Sequence, residues 1–78
     1  PNPASNKTTV SFNLGISADI EISVFDISGK ELMNVYSGKL GAGHHNYNIE
    51  TNKLPSGTYI IGLVTDIDVT TSKLVVTK

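Results

Sequence analysis

The chain has no cysteine. Disulfides, thiolate metal sites and a cysteine nucleophile are therefore excluded, and stability must come from packing and from a well-paired hydrogen-bond ladder. This leaves the redox compartment open, because an oxidising location permits disulfides without demanding them. Arginine is also missing: the six basic residues are all lysines, set against seven acids for a formal net charge of -1. Neither that balance nor any basic stripe suits an electrostatic nucleic-acid partner. No apolar run approaches the roughly 20 residues of a membrane-spanning helix, so membrane insertion is not expected. No charged and then apolar leader opens the chain, which begins at Pro1-Asn2-Pro3 without Met and has the look of a piece excised from a longer protein. A 3.6-residue period never persists long enough for a helix, and no internal repeat is visible.

What is present is a set of short alternating segments divided by turn residues. With 78 residues, of which 38% are hydrophobic, the chain suits one compact domain with a modest core. Its most apolar stretch is Leu54–Val64. Pro55 presets its own φ and Gly57 tolerates a sharp reversal, after which β-favouring residues take over. Tyr59, Ile61 and Leu63 share one face of the strand; Ile60, Gly62 and Val64 share the other. A strand apolar on both faces is expected to be central and covered on both sides.

The remaining segments follow in order. Residues 1–7 have the composition of a linker and docking segment, and the domain proper is expected over 8–78. Thr8 to Leu14 alternates, with Val10, Phe12 and Leu14 on one face. Ile20 to Ile27 alternates at first, until Phe25 and Ile27 place apolar groups on the opposite face, which suggests a bulge or cover from a neighbour. Asp26-Ile27-Ser28-Gly29-Lys30 offers an Asx-type bond and a left-handed glycine, so a hairpin to Lys30–Tyr36 is expected around Asp26 and Gly29. In that second arm, Leu32 and Tyr36 compete with Met33 and Val35 for the inward face. Gly38, Gly41 and Gly43 mark a bent loop or a very short edge strand. His44–Glu50 and Val69–Thr77 complete an all-β chain. About seven strands of this spacing predict an antiparallel β-sandwich of the immunoglobulin-like or fibronectin type III-like kind. Leu54-Pro55-Ser56-Gly57-Thr58-Tyr59 resembles the corner of such domains, where a tyrosine hydroxyl bonds back to upstream backbone. Tyr59 is expected in that role.

Candidate chemistry is thin. His44 and His45 are neighbours on a strand and point to opposite faces, so they do not chelate one ion. Asp66 and Asp68 lack the further oxygen ligands and glycine of a calcium loop. No Gly-x-Ser-x-Gly elbow exists, and Ser28 and Ser56 are explained as turn residues. The Gly38/Gly41/Gly43 spacing is followed by no helix that would offer its N-terminus to a phosphate. No catalytic, cofactor or metal site is expected. At the end of the chain, Lys73 and Lys78 bracket Leu74, Val75, Val76 and Thr77. The bland account is a strand with solubilising ends; the sharper one is a terminal strand presented to a receptor.

The order of these motifs is familiar. Pro1-Asn2-Pro3-Ala4, Ile22-Ser23-Val24-Phe25-Asp26-Ile27-Ser28-Gly29-Lys30, Gly43-x-His45, Leu54-Pro55-Ser56-Gly57-Thr58-Tyr59 and Lys73-Leu74-Val75-Val76-Thr77-Lys78 together resemble the type A C-terminal sorting domain of the type IX (Por) secretion system of Bacteroidetes. Lys30 and Phe25 stand where that family commonly has arginine and tyrosine. The resemblance implies a label on a covalently fused upstream cargo, with no cofactor and no catalysis of its own. It implies transit through the periplasm, recognition by the outer-membrane translocon and removal by a sortase-like signal peptidase, with the cargo ending at the outer-membrane surface or secreted. Recognition is expected to fall on Lys73, Leu74, Val75, Val76, Thr77 and Lys78, with Pro55, Gly57 and Tyr59 holding the fold. Two other readings compete: an immunoglobulin-like accessory module for carbohydrate binding or domain spacing, which wants an exposed aromatic platform, and the fibronectin-like domain of flagellar hook-cap scaffolds.

Overall fold

A computed structural model describes residues 6–77. Six strands run through them: β1 (Lys7–Leu14), β2 (Ala18–Asp26), β3 (Glu31–Leu40), β4 (Gly43–Glu50), β5 (Gly57–Thr65) and β6 (Val69–Val76). They form a two-stranded sheet, β1-β4, and a four-stranded sheet ordered β3-β2-β5-β6, with every pairing antiparallel. The fold is the expected all-β sandwich, with six strands instead of about seven. The difference lies in the glycine-rich stretch. Gly38, Lys39 and Leu40 continue β3 opposite Ile20, Asp19 and Ala18 and make no separate segment, so only Gly41 and Ala42 remain between β3 and β4. The expected linker lies outside the described residues over positions 1–5, as does Lys78.

Period-2 alternation explains the core. Ile20, Ile22 and Val24 of β2, Tyr59 and Ile61 of β5, Leu74 and Val76 of β6, and Ile49 of β4 point between the sheets and are buried, together with Leu54 from the β4–β5 connection. Each fully buried aliphatic side chain of this size contributes roughly 1.5–3 kcal/mol. β5 is central, between β2 and β6. Contrary to the cover expected on both sides, no second layer among the described residues covers its other apolar face, and Ile60 and Val64 are half-buried there; Phe25 of β2 lies across from Ile60, and its ring fills the space above Gly62, where an added Cβ would sit 2.8 Å from Phe25 Cε1. That is why glycine stands in the middle of the most apolar strand. An aromatic ring laid over a strand glycine restores the packing that the missing side chain forgoes.

The bulge suggested for β2 belongs to its partner. β2 keeps an unbroken register with β5, whereas β3 carries two extra residues against it, Val35 between the Ile22 and Ser23 pairings and Leu32 between those of Val24 and Phe25. These irregularities settle the competition in β3. With the period broken twice, Met33, Val35 and Tyr36 all pack against the core, and Leu32 is left 40% exposed.

The two sheets meet along an aromatic seam. Tyr36 of β3 lies 4.9 Å from Tyr47 of β4, and Tyr47 stacks at 6.2 Å on Phe12 of β1. Desolvation, then the neighbouring Tyr36, raises the Tyr47 hydroxyl above the usual tyrosine range. The opposite face of the small sheet is polar, with Thr9 Oγ1 donating to Asn48 Oδ1 (2.9 Å) and Ser11 Oγ to Asn46 Oδ1 (2.6 Å).

Candidate functional site

The chain reversals divide the sandwich into two ends. At one, here the near end, lie the β2–β3 hairpin tip, the β4–β5 connection, the start of β1 and the finish of β6; at the far end lie the β1–β2, β3–β4 and β5–β6 turns. The residues singled out in the sequence converge on the near end. Asp26 of β2 is opposite Tyr59 of β5, and Tyr59 is opposite Leu74 of β6, so hairpin, corner and terminal strand meet in one row across three strands. Two positions further along β5 and β6, Gly57 is paired with Val76.

The hairpin is closed by the Asp26 carboxylate. Its Oδ1 accepts from Ser28 N–H (2.9 Å), Ser28 Oγ (2.6 Å) and Lys30 N–H (3.1 Å), while Asp26 N–H donates to Lys30 O and Gly29 N–H to Asp26 O. Gly29 takes φ of 94°, a conformation that a side chain disfavours. Hydrogen bonding to the charged form, led by the Ser28 hydroxyl, holds the Asp26 carboxyl below the usual aspartate range. At the corner, Tyr59 Oη donates to Pro55 O at 2.6 Å, the backward bond expected of a tyrosine in this position. The incoming chain is tied in beside it, with Thr51 N–H donating to Asn6 O (2.7 Å) and Leu54 N–H to Thr51 O (3.0 Å). Thr51 is fully buried, and its hydroxyl has no hydrogen-bond partner among the described residues.

β6 is divided by its own alternation. Leu74 and Val76 are each 1% exposed and belong to the core, Val75 is half-buried on the outer face, and Lys73 and Thr77 are exposed. β6 is the edge strand of the large sheet, beside β5. No contact with a partner therefore runs through the Leu74 or Val76 side chains while the domain is folded. The surface of the terminal strand is carried by Lys73, Val75 and Thr77.

The other candidates do not come together. His44 is exposed between Asn13 and Asn46, whereas His45 turns inward, its ring 5.6 Å from Phe12 and its Nε2–H donating to Gly41 O at 2.7 Å. Asp68 Oδ1 accepts from Val69 N–H (2.8 Å), as a turn cap does. Among the described residues no group of three metal-ligating side chains is found. The five aromatic residues are all buried or half-buried, which leaves no aromatic platform for a sugar. The far end escapes a reading of the sequence, in which its turns are only connections. The available signal was an isoleucine at the tip of each of two polar turns, Ile16 and Ile67.

A family model described as the secretion system C-terminal sorting domain matches residues 1–77. The chain belongs to that family. No curated protein and no solved structure shows a significant match. The sorting domain is thus a C-terminal signal for type IX secretion, recognised by that system for export through the outer membrane to the cell surface or beyond, and the accessory-module alternative is not favoured. Sorting domains of this family are in general not catalytic. In this sorting domain the near-end row ties the terminal strand to the corner and the hairpin, so the local shape of β6 depends on the folded state of the whole sandwich.

Proposed function

We propose that the outer-membrane translocon reads this sorting domain in its folded form, through the outward side chains Lys73, Val75 and Thr77 at the end of the chain, after transit of the fused cargo through the periplasm. Pro55, Gly57 and Tyr59, with Asp26 and Gly29, act by holding β6 in place. A sortase-like peptidase then cuts upstream, in or before the segment 1–6, and the domain serves as ligand and substrate without catalysing a step. The observation that carries this reading is the near-end row: a strand whose alternate residues are anchored opposite Tyr59 and Gly57 presents Lys73, Val75 and Thr77 in a fixed geometry, the same on any cargo. Short, preformed strand surfaces are suited to recognition because little order remains to be imposed on binding.

The test is export of a reporter fused upstream of residue 1 in a type IX-competent bacterium. Deleting Leu74–Lys78 should abolish export, but it also removes two core side chains. The decisive variant is therefore Lys73→Glu with Thr77→Glu, which leaves the core intact. Export of that variant at the unmodified level, with the domain still protease-resistant, refutes the terminal-strand assignment.

A further inference from the structure

The far end of the sandwich carries a partly apolar cleft, away from the near-end row. The β1–β2 and β5–β6 turns face each other across a space of about 180 Å³ lined by Leu14, Ile16, Leu63, Ile67, Asp68 and Thr70, among others. Leu14 and Leu63 are half-buried and continue into the core. Ile16 and Ile67 stand on either side, 65% and 78% exposed, and Val69, 64% exposed, follows at the start of β6. Single exposed isoleucines are ordinary on protein surfaces. Two of them flanking a cleft with leucines behind form a contiguous apolar patch of the kind that marks contact sites.

The patch is built to stay open. Thr65 N–H donates to Asp68 O (2.8 Å), Ile67 N–H to Thr65 Oγ1 (3.3 Å) and Val69 N–H to Asp68 Oδ1 (2.8 Å), so the turn is tied from within while Ile67 is displayed. Its charge has one sign. Asp66 and Asp68 stand on the turn, and no lysine lines the cleft.

Position supplies the remaining argument. The chain enters the sandwich at Asn6, pinned beside Thr51 at the near end, and β6 finishes at that same end. The eight residues of β1, roughly 25 Å of strand, separate that entry from Ile16, within a molecule 37 Å long. Among the described residues, the chain therefore begins and finishes at the end opposite the cleft. We infer that the far-end cleft docks an apolar side chain, flanked by lysine or arginine, on a loop of the type IX secretion machinery. An apolar anchor in a pocket supplies affinity, and basic residues against the Asp66 and Asp68 rim supply orientation. The inference rests on the reading of this chain as a sorting signal but not on the terminal-strand assignment.

The same reporter fusion tests it. Ile16→Glu with Ile67→Glu should lower export at least tenfold, with the reporter retained in the cell and the domain still protease-resistant. Asp66→Lys should lower it several-fold. Ile27→Glu is the matched control, since Ile27 is 77% exposed on the near-end hairpin tip and does not line the far-end cleft. It should export as the unmodified label does. If the double variant proves protease-sensitive, the single change Ile67→Ser, to a common turn residue, decides in its place. Export of the far-end variant within twofold of the unmodified label overturns the inference, as does an equal loss in Ile27→Glu. Failure of the unmodified label to export its reporter is a separate outcome: it overturns the sorting reading and the docking inference with it.

Discussion

The two ends of this sandwich tie their backbones with similar short-range bonds, yet they treat their apolar side chains differently. At the near end, Leu54 and Tyr59 are folded into the core and the Tyr59 hydroxyl is bonded to Pro55 O. At the far end, Ile16 and Ile67 are held outward although a cleft with leucine walls lies beside them. A small domain without disulfides has little stability to spare, and the far end leaves two isoleucines in water, Ile16 and Ile67, where the near end leaves one, Ile27, at the hairpin tip. The difference separates two tasks. The near end joins hairpin, corner and terminal strand into one row, where the described chain begins and finishes, and the far end displays Ile16 and Ile67 beside a cleft.

That contrast is tested most severely in the near-end row. Leu74→Ala should cost about 3 kcal/mol, because the side chain is 1% exposed and its neighbours in a sheet collapse poorly around a cavity; urea unfolding would measure it. A loss below about 1 kcal/mol would mean that β6 is laid on the sandwich and not built into it. Tyr59→Phe keeps the ring and removes the 2.6 Å bond to Pro55 O, with an expected loss of about 1 kcal/mol. Asp26→Asn should have a smaller effect, recognisable by its pH dependence. The folded carboxyl titrates below its unfolded value, so its contribution is complete above the ordinary carboxyl pKa of about 3.9 and is lost as pH falls through the lower folded value. Thermal melts of the wild-type fusion should therefore show an acid-side loss over that window that Asp26→Asn lacks. The smallest effect belongs to the far end: Ile67→Ser should change stability by no more than about 0.5 kcal/mol. A loss comparable with that of Leu74→Ala would make Ile67 part of the core and end the contrast.

Much of the near end is legible in the amino-acid sequence. Asp26-x-Ser28-Gly29 and Leu54-Pro55-x-Gly57-x-Tyr59 are local chemistry, in which the residues that bond lie within four positions of one another, so the pattern carries the geometry. The β3 register is not legible, because two bulges at Val35 and Leu32 erase the period on which the reading of a strand face depends. Nor is the reason for Gly62, which lies in Phe25 on another strand. The far-end cleft escapes for the same reason. Ile16 and Ile67 are 51 positions apart in the sequence and line one cleft because β2, which follows Ile16, pairs with β5, which precedes Ile67.

By itself, then, the sequence determined an all-β chain without helix or thiol chemistry, the tight turns, the alternating faces of β1, β2 and β5 and the family to which the chain belongs, because period-2 alternation and turn propensities act over a few residues. Only the tertiary structure decided that six strands divide two and four, that Leu74 and Val76 are core while Lys73, Val75 and Thr77 are surface, and that the two turn isoleucines share one cleft. Those outcomes depend on which strands pair and how the sheets stack, and such contacts are set by the packing of distant segments against one another.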